Sequence, residues 1–271
     1  MDLNIFEHFA IQTAKSAGEV LMSYFGKITN IDNKSSDIDL VTRADIKTEE
    51  FIIQAIRKKF PQHNIITEES DFDKIDSDYC WIIDPLDGTT NFVHNLPIFA
   101  VSIGLQYKDE TIIGVVHNPV YNQCFHAILN CGAFLNNSPI NTSSTNTLSK
   151  SLLVTGFPYI HDARWKASFK LFEEFYSRNQ GMRRLGAAAL DFCFVAMGRF
   201  DGFYEFNLKP WDVCAGDLVL REAGGQTSDW DGITQMPFSG NRILASNGHL
   251  HSKMSDILMQ KKYRAIFFKD K

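Results

Sequence analysis

Apolar side chains at Phe6, Phe9, Thr13, Ala17, Val20, Leu21 and Tyr24 recur at the spacing of one helix face, and Gly26 stands where a C-cap would end it. A helix over 3–25 is predicted. Ile46, Ile53, Ile56 and Phe60 repeat the pattern over 44–60, and Pro61 closes it. Between these two stretches, Lys34 to Asp39 is polar and aperiodic, so a mobile loop is expected there. Asn64 to Thr67 reads as a short strand running into Glu68 and Glu69, and Trp81-Ile82-Ile83 as a buried strand that delivers Asp84 at its end. Pro85 should then stop regular pairing, because its ring fixes φ and removes a donor.

From residue 98 the texture changes. Phe99 to Tyr107, Thr111 to His117 and Cys124 to Leu129 are apolar runs separated by short turns, the signature of an antiparallel meander. Residues 136 to 150 are rich in Asn, Ser and Thr and mark the best boundary, which divides the chain into halves at 1–145 and 146–271. Beyond it the order is mixed: strands at 151–155, 202–206 and near 242–246, with helices at 163–178, 187–198, 211–223 and 248–261. The expected class is α+β, in layers of helices and sheets.

The chain has 271 residues and is 44% apolar, enough for a substantial core. A net charge of -5 argues against a nucleic-acid surface, and an acidic protein that binds phosphate needs metal to do so. Five cysteines lie scattered with no C-x-x-C pair and are expected to be reduced and buried. The N-terminus lacks the plan of a signal peptide and no apolar run approaches a membrane span, so a cytoplasmic protein without membrane partners is expected.

The densest chemistry is in Asp84-Pro85-Leu86-Asp87-Gly88-Thr89: two carboxylates, a carbonyl, a glycine and a hydroxyl at a bend. Carboxylates three apart around such a bend can converge on one hard cation, with the Leu86 carbonyl as a third oxygen donor. A helix starting beyond Gly88 would offer free N–H groups to an anion. Glu68 or Glu69, Asp45, Glu205 and Asp212 each sit near an element end, Asp212 in a helical first turn behind Pro210. Only one of the adjacent pair Glu68 and Glu69 can face a shared site, and Glu68 is favoured.

Glu68-Glu69-Ser70, the run from Trp81 through Asp84-Pro85-Leu86-Asp87-Gly88-Thr89 to His94, and Trp211-Asp212-Val213 followed by Glu222-Ala223-Gly224-Gly225 closely resemble the inositol monophosphatase family, in the family's order and over nearly the whole chain. The resemblance implies a layered αβαβα sandwich related to fructose bisphosphatase, and a dimeric, lithium-sensitive, magnesium-dependent phosphomonoesterase. It further implies that Glu68, Asp84 and the Leu86 carbonyl hold one Mg²⁺, that Asp84, Asp87 and Asp212 hold a second, and that a third, weaker ion sits near Glu68. Thr89, with Asp45 behind it, would orient or deprotonate the attacking water; the Gly88 and Thr89 N–H groups would take the phosphate. Asp87, Gly186, Ala187, Ala188 and Glu205 would meet the substrate's hydroxyls, and the loop at Lys34 would be a flap over the metals.

Two positions depart from the family's commonest pattern: Ala187 stands where Thr is usual, and Lys209 where His is frequent. Substrates in the same family therefore remain alternatives to inositol monophosphate: fructose 1,6-bisphosphate, 3′-phosphoadenosine 5′-phosphate and the 2′-phosphate of NADP. Phosphatases of the haloacid-dehalogenase type also place D-x-D-G-T after an apolar strand, but their carboxylates stand two apart, one of them a nucleophile, whereas Asp84 and Asp87 stand three apart.

Overall fold

The computed structural model describes residues 2–27, 31–33, 40–70, 74–236 and 239–268. Helices α1 (Leu3–Tyr24) and α2 (Arg43–Lys59) are joined through a small antiparallel pair, β1 (Ile31–Asn33) and β2 (Leu40–Thr42). Asp2 caps α1 by accepting from the Asn4 N–H at 3.1 Å, and Gly26 takes the left-handed conformation expected just past its end. Lys34 and the rest of the expected flap lie outside the described residues.

A seven-stranded sheet follows, ordered as in the chain: β3 (Asn64–Thr67), β4 (Tyr79–Asp87), β5 (Ala100–Tyr107), β6 (Glu110–Asn118), β7 (Gln123–Ile128), β8 (Ala133–Leu135) and β9 (Ser138–Pro139). Only β3 and β4 run parallel; the others form the expected meander. The short α3 (Thr89–Val93) connects β4 to β5. The second sheet, in the order β11-β10-β12-β14-β13, comprises β10 (Leu152–Thr155), β11 (Gly181–Arg183), β12 (Gly202–Phe206), β13 (Gln226–Ser228) and β14 (Arg242–Ser246). The helices of this half are α4 (Ala163–Tyr176), α5 (Ala188–Ala196), α6 (Pro210–Glu222), α7 (His251–Leu258) and α8 (Lys261–Phe267). The last helix expected over 248–261 thus begins only at His251 and is followed by a separate α8. The three-residue strands β11 and β13 were not foreseen.

Alternation along the strands sets the layers. On β12, Phe203 faces α5 and α6 while Tyr204 faces α4, α7 and α8; on β14, Ile243 and Ala245 take the first side and Leu244 the second. In the larger sheet, Val101, Ile103 and Leu105 pack under α1 and α2, and Ala100, Val116 and Phe125 meet the α5–α6 layer. The result is the αβαβα sandwich, with both sheets covered on both faces, which is why their strands read as nearly continuous apolar runs. All five cysteines are free. Cys124, Cys193 and Cys214 are buried and Cys80 is half-buried, but Cys131 is exposed, against expectation, because it sits in the β7–β8 turn.

Two paired glycines seat α6 on the larger sheet. Gly104 and Gly114 are cross-strand partners, and a Cβ on Gly114 would lie 2.6 Å from the Ala215 carbonyl oxygen of α6. A backbone atom cannot swing aside as a side chain can. Gly114→Ala is expected to displace α6, destabilising the protein by about 1–3 kcal/mol and lowering Tm by roughly 5 °C. A thermal melt checks this, and a Tm within a degree of wild type would mean that the helix has room.

Candidate active site

β4 does not stop at Pro85. Its pairing with β5 runs from Asp84 opposite Ser102 to Asp87 opposite Ala100, three steps on one strand against two on the other. The inserted residue is a β-bulge, and it has a chemical consequence. Residues three apart on a regular strand face opposite ways, but with one residue extra Asp84 and Asp87 reach the same side. Asp212 arrives from the first turn of α6, where its Oδ2 accepts the Lys209 N–H at 2.6 Å and Pro210 opens the helix. Asp84, Asp87 and Asp212 each offer a carboxylate oxygen within 4.8 Å of the others.

The three acids line a cavity of about 500 Å³ together with Glu68. Glu69 turns instead toward α2, where its N–H is donated to Glu49 at 3.0 Å. Asp84 Oδ1 accepts the Leu86 N–H at 2.9 Å, and the Thr89 hydroxyl donates to the Leu86 carbonyl at 3.2 Å. Asp87 caps α5 from across the layers, accepting from Ala188 N–H at 3.1 Å and Ala189 N–H at 2.8 Å. The N-cap position of α5 is Ala187, which has no side-chain acceptor of its own.

Gly88 takes φ +96°, and a Cβ there would stand 3.0 Å from the Ile98 carbonyl and 3.2 Å from that of Gly186. Glycine is required on both counts. Buried Asn91 holds this corner closed, donating to Ile98 and Leu185 carbonyls at 2.7 Å each. Gly186, Ala187, Ala188 and Glu205 line the same cavity, and a Cβ on Gly156 would overlap the Glu205 carboxylate. Lys209 stands exposed on the rim.

Desolvation first, and then the charges of Glu68, Asp87, Asp212 and Asp45, push the Asp84 carboxyl well above the usual carboxylate range. Burial, with Asp87 and Glu68 next, does the same to Asp212. Asp87 rises to about 7, burial outweighing the helix N–H groups that pull it down. Glu205 is pushed up to about 8 by burial, with Arg184 opposing and Asp87 reinforcing. Such a group of acids can be fully ionised only with positive charge among them, and an all-oxygen donor set suits a hard divalent cation.

Of the residues singled out in the sequence, Glu68, Asp84, Leu86, Asp87, Gly88, Thr89, Gly186, Ala187, Ala188, Glu205 and Asp212 all line one cavity. Asp45 stands apart from that lining. It is fully buried in the first turn of α2 and close enough to act on the charge of Asp84, while the Thr89 hydroxyl donates to the Leu86 carbonyl. Sequence reasoning missed Asp191, Arg184 and the 156–160 segment, which complete the walls. Asp191 had a signal: it is the single acid in the otherwise apolar Ala188–Ala196.

Residues 2–263 match the inositol monophosphatase family. The sequence is 42% identical over 258 residues to an inositol-1-monophosphatase of Synechocystis, covering 95% of this chain and 90% of that protein. It is 40% identical over 246 residues to the Nus factor SuhB of Pasteurella multocida, covering 90% and 92%. A solved inositol monophosphatase from Anabaena superposes with a TM-score of 0.85 at 41% identity, covering 96% of this chain and 97% of that one. The fold is thus that of a phosphoric monoester hydrolase from a metal-dependent class, and the acidic cluster could hold a metal ion. The chain belongs to the inositol monophosphatase family. Among the described residues no helix is long and apolar enough to cross a membrane.

Proposed function

We propose that this protein hydrolyses phosphomonoesters of small polyols, inositol monophosphate foremost, by direct attack of water with two to three Mg²⁺ ions as cofactor. The observation that carries the reading is the convergence of Asp84, Asp87 and Asp212 oxygens within 4.8 Å in a cavity shared with Glu68 and the left-handed Gly88. In the proposed division of labour, Glu68, Asp84 and the Leu86 carbonyl hold one cation, and Asp84, Asp87 and Asp212 another. Bound there, divalent cations would neutralise charge on the phosphate and acidify the attacking water.

The chain's own groups supply position. The Gly88 and Thr89 N–H groups face the phosphate, and the absence of a Cβ on Gly88 lets the backbone approach it. Thr89 gives its hydroxyl proton to Leu86, so its oxygen lone pairs are available to accept from the attacking water. Asp45 joins this relay as base only if the Thr89 hydroxyl turns away from Leu86. Gly186, Ala187, Ala188 and Glu205 form the wall that receives the alcohol, and Asp87 bridges that wall to the acids through its bonds to α5. A homodimer, implied by the family resemblance, and a cytoplasmic location, expected from the sequence, belong to the same reading.

Inositol 1-phosphate, fructose 1,6-bisphosphate, 3′-phosphoadenosine 5′-phosphate and NADP, compared under identical Mg²⁺, test the proposal. Phosphate release is expected from all that are accepted, fastest from inositol 1-phosphate, with none in excess chelator. A preference for a bisphosphate or for NADP would replace the substrate while keeping the chemistry; no release from any ester would overturn the reading. A trapped phosphoaspartyl enzyme would replace water attack with the covalent mechanism.

A further inference from the structure

All nine residues of α5 are buried, and eight of them, from Ala188 to Ala196, are apolar. The exception is Asp191, only 1% exposed, on the wall it shares with Glu205 and Arg184. Its Oδ1 has no hydrogen-bond partner, and no ion pair links it to Arg184 among the described residues. The backbone does not need the side chain either, since the Asp191 N–H already bonds the Ala187 carbonyl. A carboxyl with an unpartnered oxygen inside an apolar helix costs stability that any of its neighbours' side chains would avoid. It borders the cavity in which the Glu205 carboxylate lies against Gly156.

We propose that Asp191 is a specificity-determining residue, which together with Glu205 hydrogen-bonds two hydroxyl groups of the polyol on the side away from the phosphate. The inference rests on the phosphatase reading above and narrows it. Asp87, Asp191 and Glu205 share this wall with Arg184, and carboxyl groups so placed offer hydrogen bonds to the hydroxyls of a neutral, multiply hydroxylated ring or chain.

The test compares wild type, Asp191→Asn and Asp191→Ala on inositol 1-phosphate and on 4-nitrophenyl phosphate, whose leaving group carries no other hydroxyl, alongside thermal melts. Both variants are expected to lose about tenfold or more in kcat/KM on inositol 1-phosphate, the effect of one or two hydrogen bonds to a carboxyl. On the nitrophenyl ester they should stay within threefold of wild type. The Asn variant should melt at or above the wild-type temperature, as no internal bond is lost. Equal losses on both esters, or a lower Tm without substrate discrimination, would make Asp191 a structural group and overturn the proposal. Failure of wild type to hydrolyse either ester would overturn the phosphatase reading itself, and this inference with it.

Discussion

Asp84→Asn is expected to lower kcat at least about a thousandfold, equivalent to roughly 4 kcal/mol of lost transition-state stabilisation, while raising the Tm of the metal-free protein. Asp84 is 1% exposed and feels four other acids, Glu68, Asp87, Asp212 and Asp45, so its ionised form is the most crowded charge in the site. Asn keeps the volume and the acceptor for the Leu86 N–H, which in the native chain meets Oδ1 at 2.9 Å. It removes the charge that makes the position useful to a cation. Function and stability should therefore move in opposite directions, which simple misfolding cannot produce. Steady-state turnover with Mg²⁺ and a melt in chelator measure the two arms. Turnover within tenfold of wild type, or a lower metal-free Tm, would remove Asp84 from the centre of the site.

In chelator, Tm is expected to fall by about 5 °C or more between pH 6.5 and 8.5, a change of roughly 2 kcal/mol. Burial holds Asp87 up to about 7, Glu205 up to about 8, and Asp84 and Asp212 well above the usual range, so the folded protein retains protons that the unfolded chain has released. Stability then declines as pH rises through the folded pKa values. His117 and His251, held down to about 4 by burial, push the other way only between about pH 4 and 6.5, where the unfolded chain binds their protons and the folded one does not. Above that window the carboxyls dominate. Mg²⁺ should reverse the trend, because it competes for ionised carboxylates, so its stabilising shift should grow with pH. A Tm in chelator that is flat or rising from 6.5 to 8.5 would mean that the acids are already compensated.

The elements legible in the sequence are those in which one face meets one neighbour over many residues. The apolar stripe of α1 and the runs of β5, β6 and β7 are long enough for periodicity to speak. β11 and β13, three residues each, are too short for any period and exist because longer strands offer them an edge. Pro85 does interrupt regular pairing, since neither it nor Leu86 has a partner on β5, but the strand goes on beyond it. Proline does remove a ladder donor, but a bulge can absorb that loss, so β4 resumes at Asp87. Alternation implies only that one of Glu68 and Glu69 faces the site, and although β3 ends before both, the two lie in different surroundings, Glu68 lining the cavity. Asp191 escaped notice because the apolarity that identifies α5 as core also hides a single acid within it.

The α5–α6 layer draws on both sheets at once: Val116 and Phe125 reach it from one side, Val154, Phe203 and Ile243 from the other. A gene broken between codons 145 and 146 would encode an amino-terminal product whose largest sheet lies bare along one surface, and a carboxy-terminal product in which Asp212 is parted from Asp84 and Asp87. Each half thus lends the other the surface it needs to stay dry.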